Sequence, residues 1–242
     1  MSGHVLSEDT SIYRTLASPS RMQILRLLYR KPLSVEQLAD KLSLQLITIR
    51  HHLQDLLESG IIEYYEERSG GAGRPRAYYR VIKTTTTTSF PKRQYQFLSE
   101  YLINSVLKVF GKTKGEAFLK NIGMKMGETA IRKLEAEHDI KNWSLKAYED
   151  YFIRGYLEKE GAEPEVVETS GNKIVYRVHN CLFSELSTKM PNIICDVLHE
   201  SFHEGISKAM NKDLKMSRIT CMGHGDPYCE HVCAWSSKGK EN

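Results

Sequence analysis

The sequence predicts an α+β fold built from two parts, and three observations carry that prediction. Residues 20–59 place apolar side chains at helical spacing, and two β-rich runs follow them around a loop of glycine and arginine. A run of five threonines then divides the chain. Beyond residue 112, helical segments alternate with short β-rich runs, which is typical of helices packed on an antiparallel sheet.

These observations divide the chain into five predicted parts. Residues 1–82 are expected to form a winged helix-turn-helix, 83–91 a linker and 92–111 a long dimerisation helix. Residues 112–236 are expected to form a cysteine-containing α+β domain, and 237–242 a tail. At 242 residues, the chain is long enough for two domains that each bury a core.

The predicted helices of the first part have clear start and stop signals. Residues 20–29 place apolar side chains on one face, as an amphipathic helix does. Ser34 caps a second helix over 35–42, and a third runs from about 45 to 59, where Gly60 ends it. The two short helices at 35–42 and 45–59 have the arrangement of a helix-turn-helix.

The third helix has an outward face suited to DNA. Ile49, Leu53 and Leu56 fall on its core side. The outward side carries hydrogen-bonding groups, on Gln45, Thr48, Arg50, His51 and Gln54. Such groups suit base edges and phosphates in a major groove. Taken alone, the same face could be an ordinary solvated helix surface.

The following hairpin favours the DNA interpretation. Residues 61–66 and 77–82 are β-rich, and the glycine-rich loop between them carries Arg68, Arg74 and Arg76. These cations could contact phosphates or a narrow minor groove. A flexible turn with arginines for solubility is the alternative. Residues 1–82 hold 11 basic and 9 acidic side chains, so the expectation rests on the motif rather than on net charge.

Short stretches of the first third resemble a known family. Residues 16–28 (LASPSRMQILRLL), 49–53 (IRHHL) and 73–76 (GRPR) resemble the ArsR-type winged-helix repressors. The resemblance implies a winged helix that binds double-stranded DNA. It says nothing about the signal, and the metal-binding cysteines that some such repressors carry in their helices are missing here.

The threonine run and the helix after it predict a tether and a dimer. Five threonines without a packing pattern, followed by Pro91, indicate an extended linker. Residues 92–110 then carry apolar side chains over a broad face. We expect this helix to pair with its twin in a homodimer and to set the spacing of two winged helices. A helix buried within its own chain is the alternative.

All five cysteines lie in the last quarter of the chain, in the predicted α+β domain. Its predicted helices span 113–140, 145–159 and 191–210. Its predicted strands span 163–168, 173–180, 215–222 and 228–235. Cys195 falls in the first turn of a helix, whose N-terminus stabilises a thiolate, while Cys221 and Cys229 flank one turn. Together with Cys181, they are predicted to converge as metal ligands.

Two resemblances reach these cysteines. Cys195, Cys221 and Cys229, spaced 26 and 8 residues apart, resemble the vinyl-reductase-type ligand-binding domain of aromatic-sensing transcription activators. Three such cysteines help to hold zinc there, with a glutamate three residues before the second. Because this chain has Arg218 at that place, Cys181 is the expected fourth ligand.

The second resemblance is to repressors of iron–sulfur assembly (Suf) operons. Residues 180–183 (NCLF) and 225–229 (GDPYC), with Cys195 between them, carry it. It implies a thiolate-bound iron–sulfur cluster that tunes DNA affinity, held by Cys181, Cys195 and Cys229. Cys221 is additional to that pattern.

The remaining polar residues have structural interpretations. Cys233 is predicted to be a small core residue, with a spare ligand or resolving thiol beside His231 as the alternative. His199 and His203 have zinc-capable spacing, yet they are predicted to be structural.

Two functions remain open from the sequence. The first is a dimeric DNA-binding regulator that responds to an iron–sulfur cluster or to redox state. The second is a regulator with structural zinc and an apolar ligand held between Tyr148, Phe152, Tyr156 and the sheet.

Other classes of function are not expected. Neither a nucleotide-binding glycine fingerprint nor a nucleophile–base pair is recognisable, so an enzyme is not expected. A cytoplasmic location without a membrane partner is expected, because no apolar run approaches about 20 residues.

Overall fold

The computed structural model describes residues 12–67, 75–82, 94–210 and 214–235. These residues belong to two compact units, comprising residues 1–93 and 94–242. The predicted linker at 83–91, the tail at 237–242, and Arg68 and Arg74 of the hairpin loop lie outside the described residues.

The first unit is a three-helix domain with a β-hairpin. Residues 12–16 are helical and precede the three helices. The helices are α1 (Pro19–Arg30), α2 (Val35–Leu42) and α3 (Leu46–Glu58). The strands are β1 (Ile62–Glu67) and β2 (Arg76–Val81), which pair antiparallel.

Local sequence signals position these helices. Ser34 forms a capping box with Gln37, in which each side chain bonds the other residue's backbone N–H. Ser43 ends α2 in the left-handed conformation and so turns the chain toward α3. Arg21 of α1 forms an ion pair of 2.6 Å with Asp55 of α3. The buried core between them includes Ile24, Leu38, Ile49, Leu53 and Leu56.

The second unit combines a helical layer with a four-stranded sheet. Its helices are α4 (Tyr95–His138), α5 (Leu145–Ala147), α6 (Ser184–Lys189), α7 (Pro191–Ile193) and α8 (Glu200–Ala209). Its strands are β3 (Pro164–Ser170), β4 (Lys173–Val178), β5 (Leu214–Thr220) and β6 (Cys229–Trp235). The strand order is β3-β4-β6-β5, and every pair is antiparallel. The predicted α+β fold class is confirmed.

Two stretches of this unit have π-helical hydrogen bonding. Tyr148–Leu157 continues α5, and Ile194–His199 joins α7 to α8. π-Helical turns are rare and often occur at functional sites, because the wider turn displaces side chains from their regular helical positions. A 3₁₀ turn, Met222–His224, follows β5.

Helix α4 is interrupted at Gly111. This residue has φ 73 and ψ 165, outside the helical region, and only glycine adopts a positive φ without strain. The ring centroids of Phe110 and Phe118, on either side of the break, lie 6.1 Å apart. The segment before Gly111 corresponds to the predicted 92–111 helix, and the segment after it begins the helical layer.

Glycines allow α4 and α8 to approach closely. A methyl group on Gly127 would overlap the Phe202 carbonyl oxygen, and one on Gly205 would overlap the Met124 carbonyl oxygen. Gly123 faces the Leu198 carbonyl oxygen of the π-helical segment in the same way. These contacts lock α4 against the Ile194–His199 segment and α8, since a larger side chain at any of the three glycines requires the backbones to separate.

The space between Tyr148, Phe152, Tyr156 and the sheet is filled on the side of Tyr148. Tyr148 and Phe152 are fully buried, and their ring centroids stack 4.9 Å apart. Trp235 closes the side nearest Tyr148, at 5.8 Å. The part of the expected ligand space beside Tyr148 is therefore packed core, whereas Phe152 also borders a cavity on its other side. Within the described residues, every helix falls short of the length and apolar character that a bilayer crossing requires.

Candidate functional site

Helix α3 presents its polar face outward. Ile49, Leu53 and Leu56 are buried beneath it. Of the five predicted DNA contacts on this helix, Thr48 is partly exposed, and the others are exposed: Gln45, Arg50, His51 and Gln54. Gln45 occupies the N-cap position, and Gln54 donates to the Glu58 carboxylate at 2.9 Å.

Two apolar side chains at the start of α3 were missed by the sequence reasoning. Leu46 is 42% exposed and Ile47 is 55% exposed, beside the exposed polar residues. Apolar groups at this end of a recognition helix can contact thymine methyl groups. The signal was available, because both residues lie off the buried stripe defined by Ile49, Leu53 and Leu56.

Arginines from the helix and from the hairpin face a common region. The pKa of Glu36 is lowered, first because the Ser34 hydroxyl donates to its carboxylate at 2.7 Å, with smaller effects of Arg76 and Arg50. Both guanidinium groups are therefore near enough to α2 for their charge to reach it. Arg76 is exposed on β2, so its charge and that of Arg50 remain available to a polyanion.

The four predicted metal ligands line one cavity in the second unit. Cys181 follows β4, Cys195 lies in the Ile194–His199 segment, and Cys221 and Cys229 flank the β5–β6 turn. The cavity measures about 70 Å³, several times the space that one water molecule requires. Four cysteine side chains from three separate stretches of chain thus line the same cavity.

Three of these thiols pack against one another. Cys195, Cys221 and Cys229 are buried as a cluster. Cys181 is partly exposed, and its Sγ lies 3.5 Å from the Ser187 hydroxyl. A methyl group on Gly223 would lie 2.5 Å from the Cys195 Sγ, so only glycine allows the 3₁₀ turn to close over that sulfur.

Burial raises the pKa of two of these thiols, Cys195 and Cys229. It raises the pKa of Cys195 far above its usual range, and the neighbouring Cys221 adds to the effect. Burial also raises the pKa of Cys229 to about 12, although the Met222 backbone N–H donates to its sulfur and opposes the shift. Cys181 contributes to the raised pKa of both. The four sulfurs therefore interact electrostatically, as groups sharing one site do.

Arg218 occupies the position at which the resembled zinc domain has a glutamate. Its guanidinium donates to the Cys195 carbonyl oxygen at 2.9 Å and forms a 2.6 Å ion pair with Asp196. A guanidinium carries no free lone pair for a cation, so Arg218 is not a ligand. It instead ties β5 to the segment that carries Cys195.

The donor set fits a soft metal in its chemistry, although it is not assembled as a coordination sphere. Among the described residues, no group of three or more His, Cys, Asp or Glu side chains is arranged as it stands to hold a metal ion. Replacing the thiol protons by a metal requires a cation that stabilises thiolates, and sulfur donors select zinc or iron–sulfur centres.

Of the remaining candidate residues in this unit, one lies in the core and three line the cavity. Cys233 is fully buried against Tyr148 in the main core and does not line the cavity, as expected of a small core residue. His199, His203 and His231 line the cavity, which the sequence reasoning did not foresee for the first two. No periodic signal distinguishes such a wall from a packed core.

One family match covers part of the chain. Residues 16–65 match the helix-turn-helix domain family. The match covers α1, α2, α3 and part of β1 in the first unit. It supports a transcriptional regulator, since a helix-turn-helix places a recognition helix against DNA. No curated protein matches the chain.

Solved structures that resemble parts of this chain are distant in sequence. Reduced HlyU from Vibrio cholerae is 23% identical, over 34% of this chain and 78% of its own, with a TM-score of 0.28. Rv0081 from M. tuberculosis is 18% identical, over 44% of this chain and 96% of its own, with a TM-score of 0.29. The phenol-responsive sensory domain of the transcription activator PoxR, solved with phenol, is 11% identical, over 78% of this chain and 90% of its own, with a TM-score of 0.45. These similarities are too distant to assign a ligand or a signal.

Proposed function

We propose that the protein is a homodimeric, DNA-binding transcriptional regulator whose second unit holds an iron–sulfur cluster or a zinc ion. The ligands would be Cys181, Cys195, Cys221 and Cys229. The observation that carries the proposal is the meeting of these four side chains, from three stretches of chain, around one cavity. Under this proposal, occupancy or oxidation of the thiol site changes DNA affinity.

The DNA contacts are proposed to come from α3 and the hairpin. The exposed face of α3 supplies amide, imidazole and guanidinium groups for base edges and phosphates. Arg76, together with Arg68 and Arg74 of the loop, supplies positive charge for the DNA backbone. Counterion release by such cations gives affinity, whereas the α3 side chains give sequence preference.

Dimerisation is proposed through the first segment of α4. Tyr95 is 70% exposed and Val109 is 75% exposed, and Phe97, Tyr101 and Leu102 between them are also exposed. A continuous apolar face of this kind on one helix typically marks an interface. A second copy of the same helix covers it symmetrically, and a dimer matches the two half-sites that helix-turn-helix proteins bind.

The metal site would depend on residues that hold the thiols in place. Gly223 leaves room for the Cys195 sulfur, and the Asp226 carboxylate accepts the Cys221 backbone N–H at 2.8 Å. The Met222 N–H, 3.3 Å from the Cys229 sulfur, favours its thiolate. A bound cluster would supply positive charge and a change of redox state, whereas zinc would supply the charge alone.

A direct structural connection joins the thiols to α4. Cys195 and Leu198 lie in the same π-helical segment, and the Leu198 carbonyl oxygen contacts Gly123 of α4. We propose that a shift of this segment on metal binding moves α4 and, through the break at Gly111, the dimer helix. Such a shift would give the segment and α4 two alternative arrangements, and coupling between distant sites requires a part of the protein that can switch between two arrangements.

Metal analysis after oxygen-free purification tests the proposal. Iron, acid-labile sulfide and zinc are quantified, and the visible spectrum is recorded, for the natural chain and for Cys229→Ser. Cys233→Ser is the matched control, because that thiol is buried outside the cavity. The proposal expects metal in the natural chain and the control, and its loss in Cys229→Ser.

Three results would revise or overturn it. Colourless protein with stoichiometric zinc would remove the cluster version. Metal-free protein with reduced thiols would remove both versions. Equal metal content in Cys229→Ser would remove the proposed ligand set.

The cavity favours a second candidate, a regulator that responds to an apolar small molecule. Side chains such as Phe152, Leu157, Val178, Ile194 and Phe202 line the cavity. Apolar pockets with a few polar groups are typical ligand sites. In this version, zinc would be structural, and an added ligand would raise the unfolding temperature by binding the folded state.

A further inference from the structure

Two apolar side chains lie on the outward face of α3, in its first turn. Ile47 is 55% exposed and Leu46 is 42% exposed. Ile47 precedes Arg50 by three residues and His51 by four, the spacings at which helix residues share a face. It therefore lies among the exposed polar side chains of α3, with Leu46 beside it, one turn before Arg50. Leu46 and Ile47 are called the apolar pair below.

The core of the first unit does not use the apolar pair. Among the described residues, Ile49, Leu53 and Leu56 are the α3 side chains that are fully buried in this core, and neither member of the pair packs against it. Exposed apolar surface is unfavourable in water, and a partner that covers it recovers free energy. A single exposed apolar residue is common on proteins, so its neighbours decide what can cover it.

The neighbours of the apolar pair favour a negatively charged partner. Residues 45–54 contain Arg50 and two histidines but no carboxylate. The N-terminal end of a helix also carries partial positive charge. The Ser34 hydroxyl is the first cause of the lowered pKa of Glu36, and Arg76 of β2 and Arg50 both add to it, so the two cations lie on the same side of the unit. A polyanion lying on this side would be attracted by both guanidinium groups.

Double-stranded DNA combines such a polyanion with an apolar group of matching size. The major groove exposes the C5 methyl group of thymine between two phosphate backbones, and aliphatic side chains contact this methyl group. Uracil lacks the methyl group, and the major groove of an RNA duplex is too narrow for side chains to read. Cations around an aliphatic pair therefore fit thymine-containing DNA better than they fit RNA.

We propose that Ile47, flanked by Leu46, recognises the C5 methyl group of thymine in the DNA site that this protein prefers. The amide, imidazole and guanidinium groups of α3 then recognise hydrogen-bonding groups, while the apolar pair selects thymine at the base pairs beneath the first turn of the helix. This inference rests on the proposed DNA-binding function and names the chemistry of its sequence preference. It does not depend on what the thiols of the second unit hold.

Removal of single methyl groups from the DNA tests the proposal. Selection from random-sequence duplex DNA with the full-length natural protein gives the preferred site. Each thymine of that site is then replaced in turn by deoxyuridine, which keeps the hydrogen-bonding groups of the base and removes only its methyl group. We expect at least one replacement to weaken binding about fourfold, the effect of burying one methyl group. Equal affinity at every replaced position would overturn the proposal.

Variants assign the methyl effect to a side chain. Ile47→Ala should bind the thymine site and the sensitive deoxyuridine site equally, and Leu46→Ala should reduce the difference between them. Ile219→Ala is the matched control, because this isoleucine is 60% exposed on β5 of the second unit, and it should keep the fourfold difference. Thermal unfolding of each variant establishes that it is folded. A full fourfold difference in both folded α3 variants would overturn the assignment.

The proposed function and this inference fail in distinguishable ways. Selection of a preferred DNA site that is insensitive to every methyl group would overturn the inference alone, whereas failure to bind any DNA would overturn both. Sedimentation of Ile47→Ala without DNA tests the other possible partner of the pair, a second copy of this chain. We expect the same oligomeric state as for the natural chain, and a loss of dimer would make the apolar pair part of a protein interface and overturn the inference.

Discussion

The two units present their candidate sites in opposite ways. In the first unit, the residues proposed to contact DNA lie on one helix and one hairpin, and most are exposed. In the second unit, the four candidate thiols come from separate stretches of chain and line one cavity together with His199, His203 and His231. An exposed site tolerates the loss of one side chain with a graded effect, since water and counterions replace it. A buried site depends on packing, so one added methyl group can disable it.

The largest effect of one added methyl group is expected where α4 packs against α8. Gly127→Ala places a methyl group on the Phe202 carbonyl oxygen, and we expect the free energy of unfolding to fall by about 3 kcal/mol. Gly155→Ala is the control, because its methyl group meets only the Asp150 carbonyl oxygen, at 3.2 Å. Chemical denaturation followed by circular dichroism measures both. If Gly127→Ala had the same free energy of unfolding as the natural chain, the helices could separate without loss of stability.

A second substitution disturbs the thiols without removing one. Gly223→Ala crowds the Cys195 sulfur, and we expect metal affinity to fall by about tenfold, as when a supporting residue around a metal site is lost. His224→Ala is the neighbouring control, since its ring bonds Asp196 at 3.1 Å and does not line the cavity. Competition with a chromophoric chelator gives both affinities. Unchanged affinity in Gly223→Ala would mean that the sulfurs need not converge as tightly as the structure has them.

The first unit should respond more mildly to the loss of a cap. Ser34→Ala removes the capping hydroxyl of α2, and we expect the unfolding free energy to fall by about 1 kcal/mol. Ser18→Ala should cost less, because the Ser18 hydroxyl only accepts from the Arg21 N–H, at 3.5 Å, whereas the Ser34 hydroxyl also donates to the Glu36 carboxylate at 2.7 Å.

The cap should also make this effect depend on pH. The pKa of Glu36 is lowered by its bond to Ser34, so this contribution is present above the ordinary glutamate pKa and lost as the pH falls through the folded pKa. The difference between Ser34→Ala and the natural chain, measured by thermal unfolding, should therefore shrink in acid. A difference that grows in acid would contradict the assigned bond.

The smallest effect is expected at the exposed hairpin. Arg76→Ala should weaken DNA binding modestly and reduce the slope of log affinity against log salt by about 0.9, the contribution of one phosphate contact. Arg80→Ala is the matched control on the same strand, because Arg80 is paired with Glu63 at 2.7 Å. DNA-binding titrations at several salt concentrations measure the slope for each variant. Equal slopes for both variants would remove Arg76 from the DNA footprint.

Sequence reasoning succeeded where the information is local. The bounds of α3, predicted as 45–59 and observed as Leu46–Glu58, follow from the spacing of Ile49, Leu53 and Leu56 and from Gly60. The sequence also placed Cys221 and Cys229 on opposite sides of the β5–β6 turn, because a hairpin fixes which residues flank its turn. Residues 184–189 were not predicted as a helix, since α6 is short and lacks a side-chain cap.

The sequence by itself determined the winged helix-turn-helix, the α+β class and the grouping of thiols in the second unit. Each depends on periodicity, capping and turn residues that act over a few positions. Only the tertiary structure decided that Tyr148 is packed into the core, and that the cavity beside Phe152 extends to the thiols and to His199, His203 and His231. The physical reason is that a cavity is the space that the packed side chains leave open. Its position therefore depends on how α4, α8 and the sheet pack together.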